Sequence, residues 1–267
     1  MAAGPAAVSA TRPRLGGVLI GSHVHNDDPL AAAAAENADV IIVAVKPSDV
    51  DPVVAEIAEA AAQADEGTAE QVFVTVAAGV TTTYYENKLP AGSPVIRVMP
   101  NTPLVVGGGV SALAKGRFAT ADHLRTVAGL FDAVGGVLTV PETQLDAVTA
   151  VSGSGPAYFF LFIEALVDAG VEAGLSRAVA TSLAVQTMAG SAAMLLEQLD
   201  AASGGDLSAA GPVMDTSPAQ LRALVTSPGG TTAAGLRELE AGGLRAAVAN
   251  AVSAAKTRSE QLGITSE

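Results

Sequence analysis

The chain has 267 residues, 27 acidic against 14 basic side chains for a formal charge of −13, and no cysteine. That length buries a sizeable core in one large or two modest domains, and two are expected. The acidity, unbroken by any basic cluster, argues against a nucleic-acid or anionic-membrane surface, so an anionic ligand must be caught by local dipoles and a few placed cations. Absent cysteine excludes disulfides, thiolate metal sites and a cysteine nucleophile, and fits a reducing cytoplasm.

The first residues, Met1 to Arg14, carry no charged stretch followed by an apolar one, so no secretory signal is expected. Between Asp39 and Pro141, short apolar runs alternate with helix-like stretches, the pattern of a parallel sheet covered by helices. Val40 to Val45 reads as a buried strand that stops at Lys46-Pro47, with Ser48 or Asp49 capping a helix to about Ala64. Gln71 to Val76 is the next strand, ending at Ala77-Ala78-Gly79. Tyr84 to Leu89 reads as a short helix and Pro94 to Met99 as a third strand. Val105 to Lys115 reads as a further strand bent at Gly107-Gly108-Gly109, Ala121 to Ala133 as a helix, and Gly136 to Val140 as the last strand.

After Pro141 the texture changes to alanine- and leucine-rich helical segments, which sets the domain boundary at residues 142/143. Helices are expected over Gln144 to Val151, Pro156 to Gly174, Ser176 to Leu199, Pro218 to Thr226, Thr232 to Gly242 and Gly243 to Leu262, with a Gly- and Ser-rich connection over Asp200 to Ser217. Ala178 to Leu196 has no charge but contains Thr181, Ser182, Gln186, Thr187 and Ser191, which favours burial at a subunit interface over a lipid-facing span.

Two glycine- and hydroxyl-rich junctions carry the chemistry. Ser227-Pro-Gly-Gly230-Thr231-Thr232 opens a helix, and such a junction turns unpaired N–H groups and the positive end of a dipole outward, suited to a carboxylate or phosphate. Ser152-Gly153-Ser154-Gly155-Pro156 is the second. Each also reads as a plain helix cap. Three strand ends carry special residues: Ala44-Val45-Lys46-Pro47, Ala77-Ala78-Gly79 and Met99-Pro100-Asn101-Thr102. Small residues there let a flat cofactor lie against backbone, with Lys46 placed for a phosphate or ribose; the same residues also read as tight turns. No triad surrounds His23, His25 or His123, and His23 and His25 with Asp27 and Asp28 lack the further ligands a metal needs, so hydrolase chemistry and a metal site are set aside.

Pro218 to Glu240 resembles the signature of pyrroline-5-carboxylate reductases, and Ala44 to Pro47, Ala77 to Gly79, Arg97 to Pro103 and Ser152 to Tyr158 resemble the same family in order and spacing. The resemblance implies NADPH- or NADH-dependent reduction of 1-pyrroline-5-carboxylate to L-proline. It implies a Rossmann-like dinucleotide-binding domain over residues 1–142 and an all-α substrate-binding and dimerisation domain over residues 143–267. It puts the hydroxyl of Thr232 on the imine nitrogen and the substrate carboxylate on Gly230, Thr231 and Thr232, with Ser152, Gly153, Ser154 and Glu142 lining the pocket. Met99, Pro100, Asn101, Ala77 and Ala78 would lie near the nicotinamide, and Ala44, Val45, Lys46 and Pro47 against ribose and phosphates. A cytoplasmic homodimer building a larger homo-oligomer is implied too, with residues borrowed across the dimer.

The chain departs from the family at its start. The glycine-rich turn that opens such folds is not found, because neither Gly16-Gly17 nor Gly21 follows a strand or has the spacing. Ala6 to Pro13 resembles the family's second strand, where Thr11 and Arg12 would meet a 2′-phosphate, so the first β-α unit is expected to be missing and cofactor affinity impaired. The competing readings are a related imine or 3-hydroxyacid dehydrogenase and a non-catalytic oligomeric binding protein.

Overall fold

The computed structural model describes residues 18–21, 38–62, 71–203 and 217–264. Two compact units divide the chain: one takes the residues up to Gly153 together with those from Lys256 onward, and the other runs from Ser154 to Ala255.

The first unit is a six-stranded sheet whose strands lie in chain order: β1 (Val18–Gly21), β2 (Val40–Val43), β3 (Val72–Thr75), β4 (Val95–Met99), β5 (Gly109–Lys115) and β6 (Gly135–Thr139). β1 to β4 are parallel, as the alternating pattern predicts, and Val43, Thr75 and Arg97 stand side by side near the carboxyl ends of β2, β3 and β4. β5 runs antiparallel to β4, and β6 is parallel to β5. The reason is length: a parallel return needs a crossover of a dozen or more residues, and the short link after Met99 holds only a 3-10 turn, Thr102–Val106, and a left-handed Gly107 at φ 71°.

Handedness then distributes the helices. Right-handed crossovers put α1 (Val50–Ala62) and α2 (Thr82–Glu86) on one face of the sheet; β5 and β6 run the opposite way, so the crossover through α3 (Ala121–Asp132) falls on the other. Ile41, Val43, Phe73 and Val95 pack toward Val50, Val54 and Tyr85, whereas Val40, Val74, Ile96, Val98 and Leu113 pack toward Val127. Both faces being buried explains why the strands are continuous runs of branched aliphatic residues.

Several local expectations change. Gly21 does end a strand, the edge strand β1. Lys46, not Ser48 or Asp49, precedes the first turn, and Pro47 opens a 3-10 turn over Pro47–Asp49 that leads into α1. The expected strand from Val105 begins only at Gly109. The segment after Pro141 is not one helix: a 3-10 turn (Glu142–Gln144), α4 (Leu145–Val148) and a π turn (Thr149–Gly153) follow one another. His123 serves the capping box of α3, accepting the Thr120 N–H at 3.2 Å. Thr11, Arg12, His23, His25, Asp27 and Asp28 lie outside the described residues, as does the connection from residue 204 to 216.

The second unit is helical: α5 (Gly155–Glu172), α6 (Arg177–Ser203), α7 (Ser217–Leu224), α8 (Thr231–Ala241) and most of α9 (Leu244–Ile264), whose last turns from Lys256 belong to the first unit. α5 and α6 form a hairpin through Gly174, left-handed at φ 100°, around Val167, Ala180 and Ala184. Much apolar surface stays uncovered in the single chain, with Phe159 60% and Phe160 70% exposed.

Candidate active site

The loops leaving β2, β3 and β4 emerge side by side at one edge of the sheet, bringing together Ala44 to Pro47, Ala77 to Gly79 and Met99 to Asn101. Lys46 and Pro47 are exposed there, Ala44 and Val45 half-buried, and Ala77 buried. Ala44 and Ala78, half-buried, offer backbone with almost no side chain in front of it, Ala77 and Gly79 are buried behind them, and Lys46 adds a cation. Such an edge has room for a flat ring against backbone and one cation within reach of a phosphate or ribose.

A buried polar cluster holds this edge. The hydroxyls of Thr75 and Tyr85 share a hydrogen bond of 2.7 Å, and Thr75 Oγ1 accepts the Ala77 N–H at 3.2 Å, which fixes the start of the β3 turn. Burial pushes the Tyr85 phenol up to about 12, with the Thr75 hydrogen bond opposing. It therefore stays protonated at neutral pH.

Glu142 closes the same edge. Oε1 accepts the Thr82 N–H at 2.7 Å and Oε2 the Thr82 hydroxyl at 2.6 Å, while Arg97 Nη1 lies 3.5 Å from Oε1. The carboxylate thus meets the first turn of α2, where the dipole favours an anion, and neutralises an Arg97 side chain only 7% exposed. Asn101 is equally committed: its Oδ1 accepts the Val110 N–H at 2.8 Å and its Nδ2 donates to the Ser152 carbonyl at 3.3 Å. Ser152 donates its hydroxyl to the Val148 carbonyl at 3.0 Å inside the π turn, and Gly153 lies so close to Met99 that a Cβ would stand 2.7 Å from its Cε. π turns of this kind cluster at functional sites.

In the second unit Ser154 precedes α5 and Gly230 precedes α8, and neither helix start has a side-chain cap. The plain-cap alternative through a hydroxyl is thereby removed for both. Gly229 is left-handed at φ 71° and the Gly230 N–H closes onto the Ser227 carbonyl at 3.0 Å, a tight turn that leaves Thr231 and Thr232 exposed at the first positions of α8.

The family model described as pyrroline-5-carboxylate reductase dimerisation matches residues 142–262. A pyrroline-5-carboxylate reductase of Mycobacterium tuberculosis (strain CDC 1551 / Oshkosh) is 66% identical over 241 residues, covering 89% of this chain and 81% of the relative. The chain belongs to the pyrroline-5-carboxylate reductase family. Among solved structures of the family, the reductase of Coxiella burnetii superposes with a TM-score of 0.75 at 35% identity, covering 89% of this chain and 80% of that one. The Plasmodium falciparum pyrroline carboxylate reductase with NADP bound gives 0.70 at 31% identity, over 87% and 80%. This family membership confirms the α/β, Rossmann-like first part followed by a helical dimerisation part.

Sequence reasoning missed the groups that hold the edge in place: Thr75, Tyr85, Thr82 and Arg97. A lone arginine inside Val95-Ile-Arg-Val-Met99 is a signal of a buried counter-charge. Glu142 lies 45 residues further on, beyond the reach of any local pattern.

Proposed function

We propose that this family member reduces 1-pyrroline-5-carboxylate to L-proline, the last step of proline biosynthesis, using NADPH or NADH. The observation that carries the reading is the identity of 66% over 241 residues to a pyrroline-5-carboxylate reductase, covering 89% of this chain. A nicotinamide held against Ala77, Ala78, Met99, Pro100 and Asn101 would supply the hydride for the C=N carbon. Thr232 holds its hydroxyl against the imine nitrogen so that the developing amine is protonated or hydrogen-bonded, and the open first turn at Gly230, Thr231 and Thr232 binds the carboxylate.

Ser152, Gly153 and Ser154 shape the substrate side through the π turn and the uncapped start of α5. Glu142 contributes as a wall fixed by Thr82 and Arg97, since both its oxygens already accept hydrogen bonds. On the cofactor side, Ala77, Ala78, Met99, Pro100 and Asn101 present the surface for the nicotinamide, and Ala44, Val45, Lys46 and Pro47 meet ribose and phosphates. Thr11 and Arg12 remain the proposed contacts for a 2′-phosphate. The first part of the chain serves the dinucleotide and the part from about residue 143 serves substrate and dimerisation.

The working form is a homodimer through the helical unit, with dimers joining into a larger assembly in the cytoplasm. Segments 142–172 and 177–199 are long and apolar enough to cross a membrane by composition. The dimerisation description of the matching model favours a second copy as their cover. The test follows NADPH oxidation with 1-pyrroline-5-carboxylate beside calorimetric NADPH titration. Substrate-dependent oxidation is expected; neither turnover nor cofactor binding would leave an oligomeric binding protein instead.

A further inference from the structure

We propose that the last turn of α9 is a positioning element for the cofactor turn after β3, acting through backbone contact between Gly263 and Gly79. The inference rests on the proposed seat of the nicotinamide at Ala77 and Ala78. Gly79 is left-handed at φ 79°, and a Cβ built on it would lie 2.9 Å from the Gly263 nitrogen and 3.1 Å from its Cα. Reciprocally, a Cβ on Gly263 would stand 2.9 Å from the Gly79 carbonyl oxygen. The two main chains therefore meet with no side chain between them.

Both sides of the contact are fixed independently. Ser259, one turn earlier and 6% exposed, donates its hydroxyl to Asp146 Oδ1 at 2.6 Å, tying the end of α9 to the segment just after Glu142. On the other side the Ala77 N–H is held by Thr75 Oγ1, itself paired with Tyr85. The β3 turn is thus gripped between the strand below and the helix end above. A methyl at Gly263 meets backbone rather than a flexible side chain, so the turn or the helix end must give way. A displaced binding surface loses the preorganisation on which affinity depends.

Gly263→Ala isolates this effect, because alanine favours the helix that carries it and a weaker α9 cannot then account for lost binding. NADPH dissociation constants are compared for wild type, Gly263→Ala, Ser259→Ala and Glu260→Ala, the last lying on the exposed face of α9. The expected result is a rise of about tenfold in Gly263→Ala, a smaller rise in Ser259→Ala, which also loses some thermal stability with its buried hydrogen bond, and none in Glu260→Ala. A folded Gly263→Ala that binds within about twofold of wild type overturns the proposal. Should that variant not fold, hydrogen exchange on wild type decides: NADPH must slow exchange over residues 76–80 and 258–264 together, and protection confined to 76–80 overturns it. Wild type that fails to bind NADPH sinks the cofactor reading and this inference with it; normal wild-type binding with an indifferent Gly263→Ala sinks the inference alone.

Discussion

Glu142 touches two elements through one carboxylate, and removing it leaves Arg97 buried without a counter-charge and Thr82 without its acceptor. Glu142→Ala is expected to cost about 3 kcal/mol of stability, read from urea unfolding, with Glu142→Gln retaining part of it. Tyr85 gives a pH signature. Its phenol titrates near 10 in the unfolded chain and about 12 in the fold, so between those values the native state keeps a proton that the unfolded chain has released. Its contribution is full below about pH 10 and falls by up to about 3 kcal/mol as pH rises through the folded value. Tyr85→Phe should flatten that alkaline decline, seen by comparing unfolding midpoints at about pH 9 and about pH 11. Thr232, exposed at the start of α8, should behave in the opposite sense: Thr232→Ala lowers turnover by about 100-fold while unfolding is unchanged. Of these residues, Thr232 and Glu142 were named by the family pattern. The partners of Thr75, Tyr85 and Arg97 were not legible, because strand register and helix placement set them rather than neighbouring sequence.

At the scale of elements, branched aliphatic runs located β2, β3 and β4 to within a residue or two, since a strand buried on both faces needs that composition. The direction of β5 escaped the pattern: nothing in a strand's own residues encodes its partner's sense, and the short link before it decides. The junction of β5 and β6 depends on Gly135, which takes φ 145° and whose added Cβ would collide with the Gly109 carbonyl. Gly135→Ala should therefore lower stability by roughly 2 kcal/mol or more and loosen β6, visible as faster hydrogen exchange over residues 135–139. The composite 3-10, α and π segment after Pro141 also escaped the sequence pattern. Its Asn101 bond to the Ser152 carbonyl is a tertiary contact, and the Gly153 approach to Met99 is another.

For the whole molecule, the contrast lies between a first unit with a two-faced core and a second whose long helices leave Phe159, Phe160, Leu183 and Met194 largely exposed in the single chain. A lone helical hairpin buries too little to justify so many large apolar side chains, and covering them by a second copy resolves the imbalance. Activity and association are then expected to fall together on dilution, followed by sedimentation and assay on the same samples; an active monomer contradicts the dimeric account. The uncharged stretch from Ala178 to Leu196 carried the expectation of an interface, whereas the return of residues 256–264 to the sheet unit had no sequence signal, since α9 reads as one uninterrupted helix. The central claim is tested most directly by 1-pyrroline-5-carboxylate-dependent NADPH oxidation measured for wild type and Thr232→Ala side by side. The account predicts turnover to proline by wild type and its near loss in a folded Thr232→Ala; no substrate-dependent oxidation by wild type, or equal rates in the two, would contradict it.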